Sequence, residues 1–545
     1  MGVAVDSTMQ DFPLTITGIL RHGTGWHADR KVITATGDGY REASYGAIGE
    51  RVAQLAHGLR SLGITGDERI ATFMWNNQEH LEAYLAVPSM GAVLHTLNIR
   101  LPADQLAYIA GQAEDRVVLA DLSLAPALAA VLAKMPTVHT VVAVGHGDLD
   151  TLAAPGKTVV GYDELLADQS TVYDWPDIDE KCAAAMCYTS GTTGNPKGVV
   201  YSHRSTYLHS TAVCSAIGMT DGDRVLPIVP MFHANAWGNP YAAVMAGADL
   251  LMPDRCLQAA PLVEMIEKHR PTMAAAVPTI WNDVLRYLDE HPGRDISSLR
   301  FVTCGGSAVP LALMKAFHDK HGVPIYQGWG MTETSPLAAL AVPPAGVPDD
   351  EHWLLRNTAG RLMCGVEARI VDDDGDVLSN DGKAVGEIEV RGPWVTASYY
   401  QNVDESKFHD GWLRTGDVGR IDERGHITLT DRAKDVIKSG GEWISSVELE
   451  NHIMAHPDVF EAAVVAVPDD RWQERPLAAV VLHKGADITA DGLRRFLCDR
   501  VVRWWLPERW TFIDELPKTS VGKFDKKVIR ARYSDEAYNV VECRD

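Results

Sequence analysis

Through most of the chain, apolar positions alternate between helical spacing and short continuous runs. Between Tyr45 and Leu62, the residues Ile48, Val52, Leu55, Leu59 and Leu62 share one face of a 3.6-residue period, which predicts a helix. Ile70–Met74, Val117–Ala120 and Val138–Val144 are brief apolar runs and predict strands. Helices alternating with such strands imply parallel sheets covered by helices, an α/β arrangement. No internal repeat or low-complexity segment interrupts the pattern up to about residue 430. Val342–Asp350, rich in proline and acid, reads as a surface loop.

After Gly360 the texture changes. Val366–Val371, Gly386–Val390 and His426–Thr430 are short strand patterns around turn signals such as Asp374-Gly375 and Arg424-Gly425, which suggests a β-rich subdomain. Further on, Ser445 with Glu448 forms a capping box for a helix through Ala455. Strand patterns at Ala462–Val467 and Leu477–Leu482 follow, then a helix at Asp491–Arg500. The expected fold is therefore α/β, or α+β overall. A large N-terminal domain, 1–433, would hold layered sheets and helices with the β-rich subdomain, and a small α+β domain would cover 434–545. Their boundary is placed at Lys434, a charged junction between apolar segments.

Composition narrows the functional classes. The 545 residues are 46% hydrophobic and 23% charged, ordinary for a globular protein, with a formal net charge of −23. That excess repels nucleic acid and anionic membrane surfaces, so an anionic substrate needs a local positive site. The eight cysteines show no zinc-binding spacing, and Cys182 and Cys187 read as small core residues. The N-terminal residues carry no basic-then-apolar signal, and no apolar run approaches the ~18 residues of a membrane span. A cytoplasmic protein is expected.

The strongest chemical signal is Tyr188-Thr-Ser-Gly-Thr-Thr-Gly-Asn-Pro-Lys-Gly-Val199. Its glycines let the backbone present bare N–H groups, and successive N–H groups form an anion-binding concavity to which hydroxyls add donors. Lys197 can neutralise phosphate charge. The run thus reads as a polyphosphate-gripping loop, without the Gly-Lys-Ser/Thr ending of the P-loop. In order along the chain come Tyr326-Gln-Gly-Trp-Gly-Met-Thr-Glu333, Arg414-Thr-Gly-Asp417, Asp431-Arg-Ala-Lys434, Lys438-Ser-Gly-Gly-Glu-Trp443 and Pro517-Lys-Thr-Ser-Val-Gly-Lys523. With these six motifs the chain resembles, over nearly its whole length, the adenylate-forming acyl-CoA synthetase superfamily. Within it, the chain is most similar to the medium- and long-chain fatty acyl-CoA synthetases.

The resemblance implies ATP, Mg²⁺ and coenzyme A as cofactors or cosubstrates, and it implies a role for each motif. Thr189, Ser190, Gly191, Thr192, Thr193, Gly194 and Lys197 would hold the β- and γ-phosphates. Glu333, with Thr192, would bind Mg²⁺, and Thr332 would contact the α-phosphate. Gly328, Trp329 and Gly330 would lie at the adenine, with Trp329 offering a flat face for stacking. A tryptophan between two glycines also reads as poorly placed for a core. Gly305, Gly306 and Ser307 resemble the segment against the adenine, and read equally as a bland strand-to-helix turn. Asp417 and Arg432 match ribose-contacting residues. Lys523 matches the catalytic lysine of adenylation, a fixed cation acting where transition-state charge builds up. Lys434 matches the hinge about which a mobile C-terminal domain rotates. After that rotation Lys438, Gly440, Gly441, Glu442 and Trp443 would face the site and admit pantetheine.

The acid is read from Pro230-Met-Phe-His-Ala-Asn-Ala-Trp-Gly-Asn-Pro240. His233 matches a residue near the acyl carboxylate, or is a packing residue. Trp237 resembles the indole that gates the acyl tunnel in long-chain enzymes, or is a core tryptophan. No carboxylate lies between Pro230 and Ala248, which disfavours an amino acid substrate. Gly330, where acetate enzymes of the family carry tryptophan, would leave the pocket open. The expected activity is ATP-dependent ligation of a medium- to long-chain fatty acid to CoA through an acyl-AMP. The alternative is an adenylating enzyme that hands its acyl group to a carrier protein or other acceptor. A homodimer is compatible with the resemblance.

Overall fold

The computed structural model describes residues 7–189, 195–432, 434–439, 442–519 and 523–543. Three sheets organise them. In the seven-stranded sheet, Thr158–Gly161, Thr140–Val144, Asp115–Asp121, Arg69–Phe73, Val93–Thr96 and Ala183–Tyr188 run parallel, and Gly198–Ser202 closes the order antiparallel. The expected strands at 70–74, 117–120 and 138–144 all lie here. The predicted helix is Tyr45–Ser61, started by Ser44, whose hydroxyl accepts from the Ala47 N–H.

The second sheet has fifteen strands. Its parallel part is Lys31–Ala35, Asp249–Met252, Arg224–Pro227, Met273–Ala276, Phe301–Gly305 and Ile325–Gly330. At Leu337–Leu340 the sheet turns antiparallel and runs on through Gly360–Leu362, His426–Arg432, Trp412–Ile421, Gly386–Arg391 and Glu367–Val371. The β-rich region is therefore joined edge to edge to the parallel strands. A helix, Gln78–Ser89, packs between the two large sheets and is buried at every position. Its charge is satisfied internally. Glu82 accepts from Arg51 Nε (2.7 Å), Gln78 (2.8 Å) and the Tyr162 hydroxyl (2.6 Å), as a buried carboxylate must be.

The remaining sheet has six strands and holds Val459–Asp469 and Gln473–Leu482 at its centre. The helix Ser446–Met454 is capped by Ser445, which accepts from the Glu448 N–H, and Ala490–Leu497 is the second expected helix. Beyond Arg530, where the sequence suggests no role, Val540–Glu542 pairs antiparallel with Arg509–Phe512 and closes that edge. The loop expected at 342–350 gives way to the helix Asp349–Arg356. Cys187 is buried as expected; Cys182 is exposed, because it precedes the strand Ala183–Tyr188 instead of belonging to it. Among the described residues no helix is long and apolar enough to cross a membrane.

Candidate active site

The antiparallel strands Trp412–Ile421 and His426–Arg432 set Asp417 directly opposite Arg432. Arg432 Nε lies 3.0 Å from Asp417 Oδ1, and the Trp329 indole N–H donates to Asp417 Oδ2 at 2.8 Å. The Asp417 charge holds the Arg432 guanidinium firmly protonated. Lys523, which precedes the helix Lys526–Ser534, lies within electrostatic reach of this group. Its Cε stands 3.8 Å from where a Cβ at Gly306 would be. Burial, then the positive charges of Arg432 and Lys434, push its pKa down to about 8 against the pull of Asp417 and Glu333. Burial, reinforced by Lys523 and Arg100, holds His233 down at about 3, so its imidazole is neutral. Lys523, Arg432, Asp417, Glu333 and His233 thus share one electrostatic environment, although they come from four separate parts of the chain.

The phosphate-loop motif is closed at its base. The Thr189 N–H donates to the Lys197 carbonyl (2.9 Å), and the Lys197 N–H donates to Thr189 Oγ1 (3.2 Å). Ser190, Gly191, Thr192, Thr193 and Gly194 lie outside the described residues. The Lys197 ammonium pairs with Asp404 and sits 5.1 Å from the centre of the Tyr399 ring. The Tyr399 hydroxyl donates to Glu333 Oε1 at 2.6 Å, and the Tyr201 hydroxyl to the Thr332 carbonyl at 2.7 Å. Sequence reasoning missed Tyr399 and Asp404. Both lie on an irregular segment that returns to the site through left-handed residues at Gln401, Asn402 and Asp404 (φ 61°, 53° and 57°), and no local motif marks it. A cavity of about 390 Å³ lies alongside, lined by Tyr201, Ser205, Ser335, Trp394, Thr396 and Tyr399.

Two expectations about the strand Ile325–Gly330 are corrected. Trp329 is a core residue, 6% exposed, packed with Ala338, Ala339, Leu340 and Met363. Its sequence neighbours contribute nothing, but alternation along the strand turns it toward the facing strand and the β-rich region, which supply the packing. Gly330 does not hold a pocket open. A Cβ there would stand 1.7 Å from the Pro336 carbonyl oxygen, so the glycine serves a close backbone approach. Gly305 is similar: a Cβ would meet the Gly328 carbonyl oxygen at 2.8 Å and the Trp237 ring at 3.4 Å. Gly305 and Gly306 therefore form a thin wall with Trp237 at one residue and Lys523 at the next. Ser307 is exposed.

His233 leads into a left-handed turn. Ala234, Asn235, Ala236 and Trp237 have φ of 41°, 49°, 50° and 57°, with none of them glycine. Each such residue costs roughly 1–2 kcal/mol, so the surroundings must impose the turn. They do so through hydrogen bonds. Asn76 donates to the Pro227 and Val229 carbonyls and accepts from the Met231 N–H. Asn235 Oδ1 accepts from Cys187 Sγ (3.2 Å) and the Tyr84 hydroxyl (3.3 Å), and Asn239 donates to the Ala236 carbonyl (2.8 Å).

Lys434 is exposed in the turn between His426–Arg432 and Ile437–Ser439. The acids beside it are gripped from the small sheet's side: the Ser446 N–H donates to Asp431 Oδ2 (2.7 Å), and Arg530 to Asp435 Oδ1 (2.6 Å). Lys438 is exposed on the next strand, where its N–H donates to Glu474, and the structure does not gather it with Lys523. Glu442 and Trp443 lie on the strand Glu442–Ile444 that pairs with it; Gly440 and Gly441 lie outside the described residues.

The family model for AMP-binding enzymes matches residues 21–400, and that for the AMP-binding enzyme C-terminal domain matches 448–523. The chain is 41% identical to the 3-methylmercaptopropionyl-CoA ligase of Ruegeria pomeroyi, over 96% of this chain and 98% of the relative. It is 42% identical to the long-chain-fatty-acid–CoA ligase of Thermus thermophilus, over 98% of each. Among solved structures, the anthranilate CoA ligase AuaEII in complex with anthranoyl-AMP superposes with a TM-score of 0.87 at 25% identity, covering 97% of this chain and all of that one. The chain therefore belongs to the AMP-binding enzyme family and is an AMP-forming acid–thiol ligase.

Proposed function

We propose that the acid is a medium- to long-chain fatty acid and that the chain joins it to CoA in two half-reactions. One observation carries the mechanism: Lys523, from the far C-terminal region, is half-buried against Gly306 of the N-terminal region, its Cε 3.8 Å from where a Cβ there would be, and feels the charges of Asp417, Arg432 and Glu333. In the first half-reaction a carboxylate oxygen attacks the α-phosphorus of ATP, and the bond to pyrophosphate breaks. Two anions approach each other, so cations must stand where charge gathers. Lys523 serves the α-phosphate and the carboxylate, and Arg432, paired with Asp417, stands at the ribose. Lys197 exchanges Asp404 for the β- and γ-phosphates, Asp417 accepts from the ribose hydroxyls, and Thr332 orients the α-phosphate. The Glu333 carboxylate, oriented by Tyr399, would hold magnesium, which when bound supplies positive charge to the triphosphate. A single carboxylate fits that ion, which keeps its waters and leans on substrate phosphates; among the described residues no group of three His, Cys, Asp or Glu forms a protein-only cage.

In the second half-reaction the CoA sulfur attacks the acyl carbonyl, AMP leaves, and the thiol proton passes to solvent. Lys523 must withdraw for this. Rotation about Lys434 would exchange its turn for the Lys438–Trp443 hairpin, with the division of domains at 433/434. Three features support a fatty acid: no carboxylate lies between Pro230 and Ala248, alanine occupies positions 274, 275 and 276 of the strand Met273–Ala276, and the long-chain relative is as similar as the one named for a short thioether acid. The test is a series of saturated acids from acetate to palmitate, with 3-methylmercaptopropionate, assayed for AMP release with and without CoA. Higher kcat/KM for decanoate or dodecanoate than for the short acids, dependent on CoA, is expected. A preference for the short acids would overturn the chain-length assignment.

A further inference from the structure

We propose that Trp329 is a positioning residue for the ribose-binding carboxylate: its indole N–H fixes Asp417 for the nucleotide. The inference rests on the reading of Asp417 as the ribose acceptor and adds the residue that aims it. Two β-bulges create the contact. The register between Ile325–Gly330 and Leu337–Leu340 slips between Trp329 and Gly330, and the register between Trp412–Ile421 and His426–Arg432 slips between Val418 and Gly419. A bulge re-aims the side chains beside it. Here the two bring together groups 88 residues apart in sequence.

The carboxylate is held from two sides. Trp329 Nε1 occupies one oxygen at 2.8 Å and Arg432 Nε the other at 3.0 Å. The Asp417 N–H also donates to Thr415 Oγ1 (3.1 Å), whose hydroxyl donates to the Ile388 carbonyl (2.6 Å), so the backbone is tied as well. A carboxylate has about four acceptor sites, so capacity remains for the 2′- and 3′-hydroxyls. With Asp417 5% exposed and Trp329 6%, neither side chain can reorient freely. The indole is thus engaged by its edge, as a donor, while its ring is largely enclosed by apolar neighbours.

The readout is ribose discrimination, the ratio of kcat/KM for ATP to that for 3′-deoxy-ATP or 2′-deoxy-ATP in acid-dependent pyrophosphate exchange. A hydroxyl bonded to a carboxylate makes this ratio ~10–100 in the unaltered enzyme. Asp417→Ala should bring it near one. Trp329→Phe keeps an aromatic face and loses the donor, and should lower the ratio ~3–10-fold. Trp329→benzothienylalanine, which keeps the bicyclic ring and lacks only the N–H, should do the same if the phenylalanine variant folds poorly. Equal losses with ATP and both deoxy analogues, at an unchanged ratio, would overturn the proposal and leave Trp329 a packing or stacking residue. A ratio near one in the unaltered enzyme, or one insensitive to Asp417→Ala, would instead overturn the ribose reading itself.

Discussion

With Lys523 in the role proposed for it, the first half-reaction should be sensitive to alkali. The pKa of Lys523 lies near 8, against an ordinary lysine value of 10.5, chiefly through burial and the neighbouring Arg432 guanidinium. The ammonium is then about half populated at pH 8 and about one-tenth populated at pH 9. The gap corresponds to about 3 kcal/mol that disfavours the cation. The sign follows: because the folded pKa is depressed, this penalty on stability is fully present below about pH 8 and is relieved between about pH 8 and 10.5. A bound triphosphate brings negative charge and favours the ammonium, so the pKa rises in the complex. In pyrophosphate exchange, kcat/KM for ATP, which reports the free enzyme, should fall tenfold per pH unit above about 8. The corresponding limb of kcat should lie at higher pH. Neighbours do not obscure this window, since His233 is already neutral and Tyr399 is pushed up by burial. Lys523→Arg, slower but permanently charged, should lose the limb. A limb retained at the same pH in that variant would refute the assignment.

Two further outcomes concern the backbone. Gly330→Ala drives a methyl into the Pro336 carbonyl oxygen and should cost about 3 kcal/mol in denaturant unfolding, with a fall in kcat/KM; tolerance of the methyl would show that the approach is looser than described. Ala236 and Ala242 are both fully buried, but only Ala236 is left-handed. Ala236→Gly should therefore be about 1–2 kcal/mol less destabilising than Ala242→Gly in the same assay, and equal costs would mean the turn carries no strain.

The sequence was legible where local pattern and tertiary packing agree. The face of Tyr45–Ser61 and the cap at Ser445 could be read from residue type and spacing; Glu333, Asp417, Arg432 and Lys523 were singled out by the resemblance of their motifs, and the structure sets them in one electrostatic environment. Long-range compensation hid the rest. Gln78–Ser89 carries glutamates and a histidine, and it is Arg51 and Tyr162, distant in sequence, that make its burial possible. The 234–237 turn has no glycine to announce it, because its conformation is imposed by Asn76, Tyr84 and Cys187 from other elements. Trp329 was misjudged for the same reason: the strand that packs it is recognisable only once its register is known. Gly330 was read from side-chain space, whereas a neighbouring carbonyl decides it.

The antiparallel addition of Val540–Glu542 to Arg509–Phe512 has a practical side. Those three terminal-region residues satisfy amides that would otherwise form an open row, the kind of rim on which polypeptides recruit one another into aggregates. Trimming the chain before residue 540 to obtain a tidier crystallisation sample would therefore leave the nucleotide chemistry in place while inviting self-association through the small lobe.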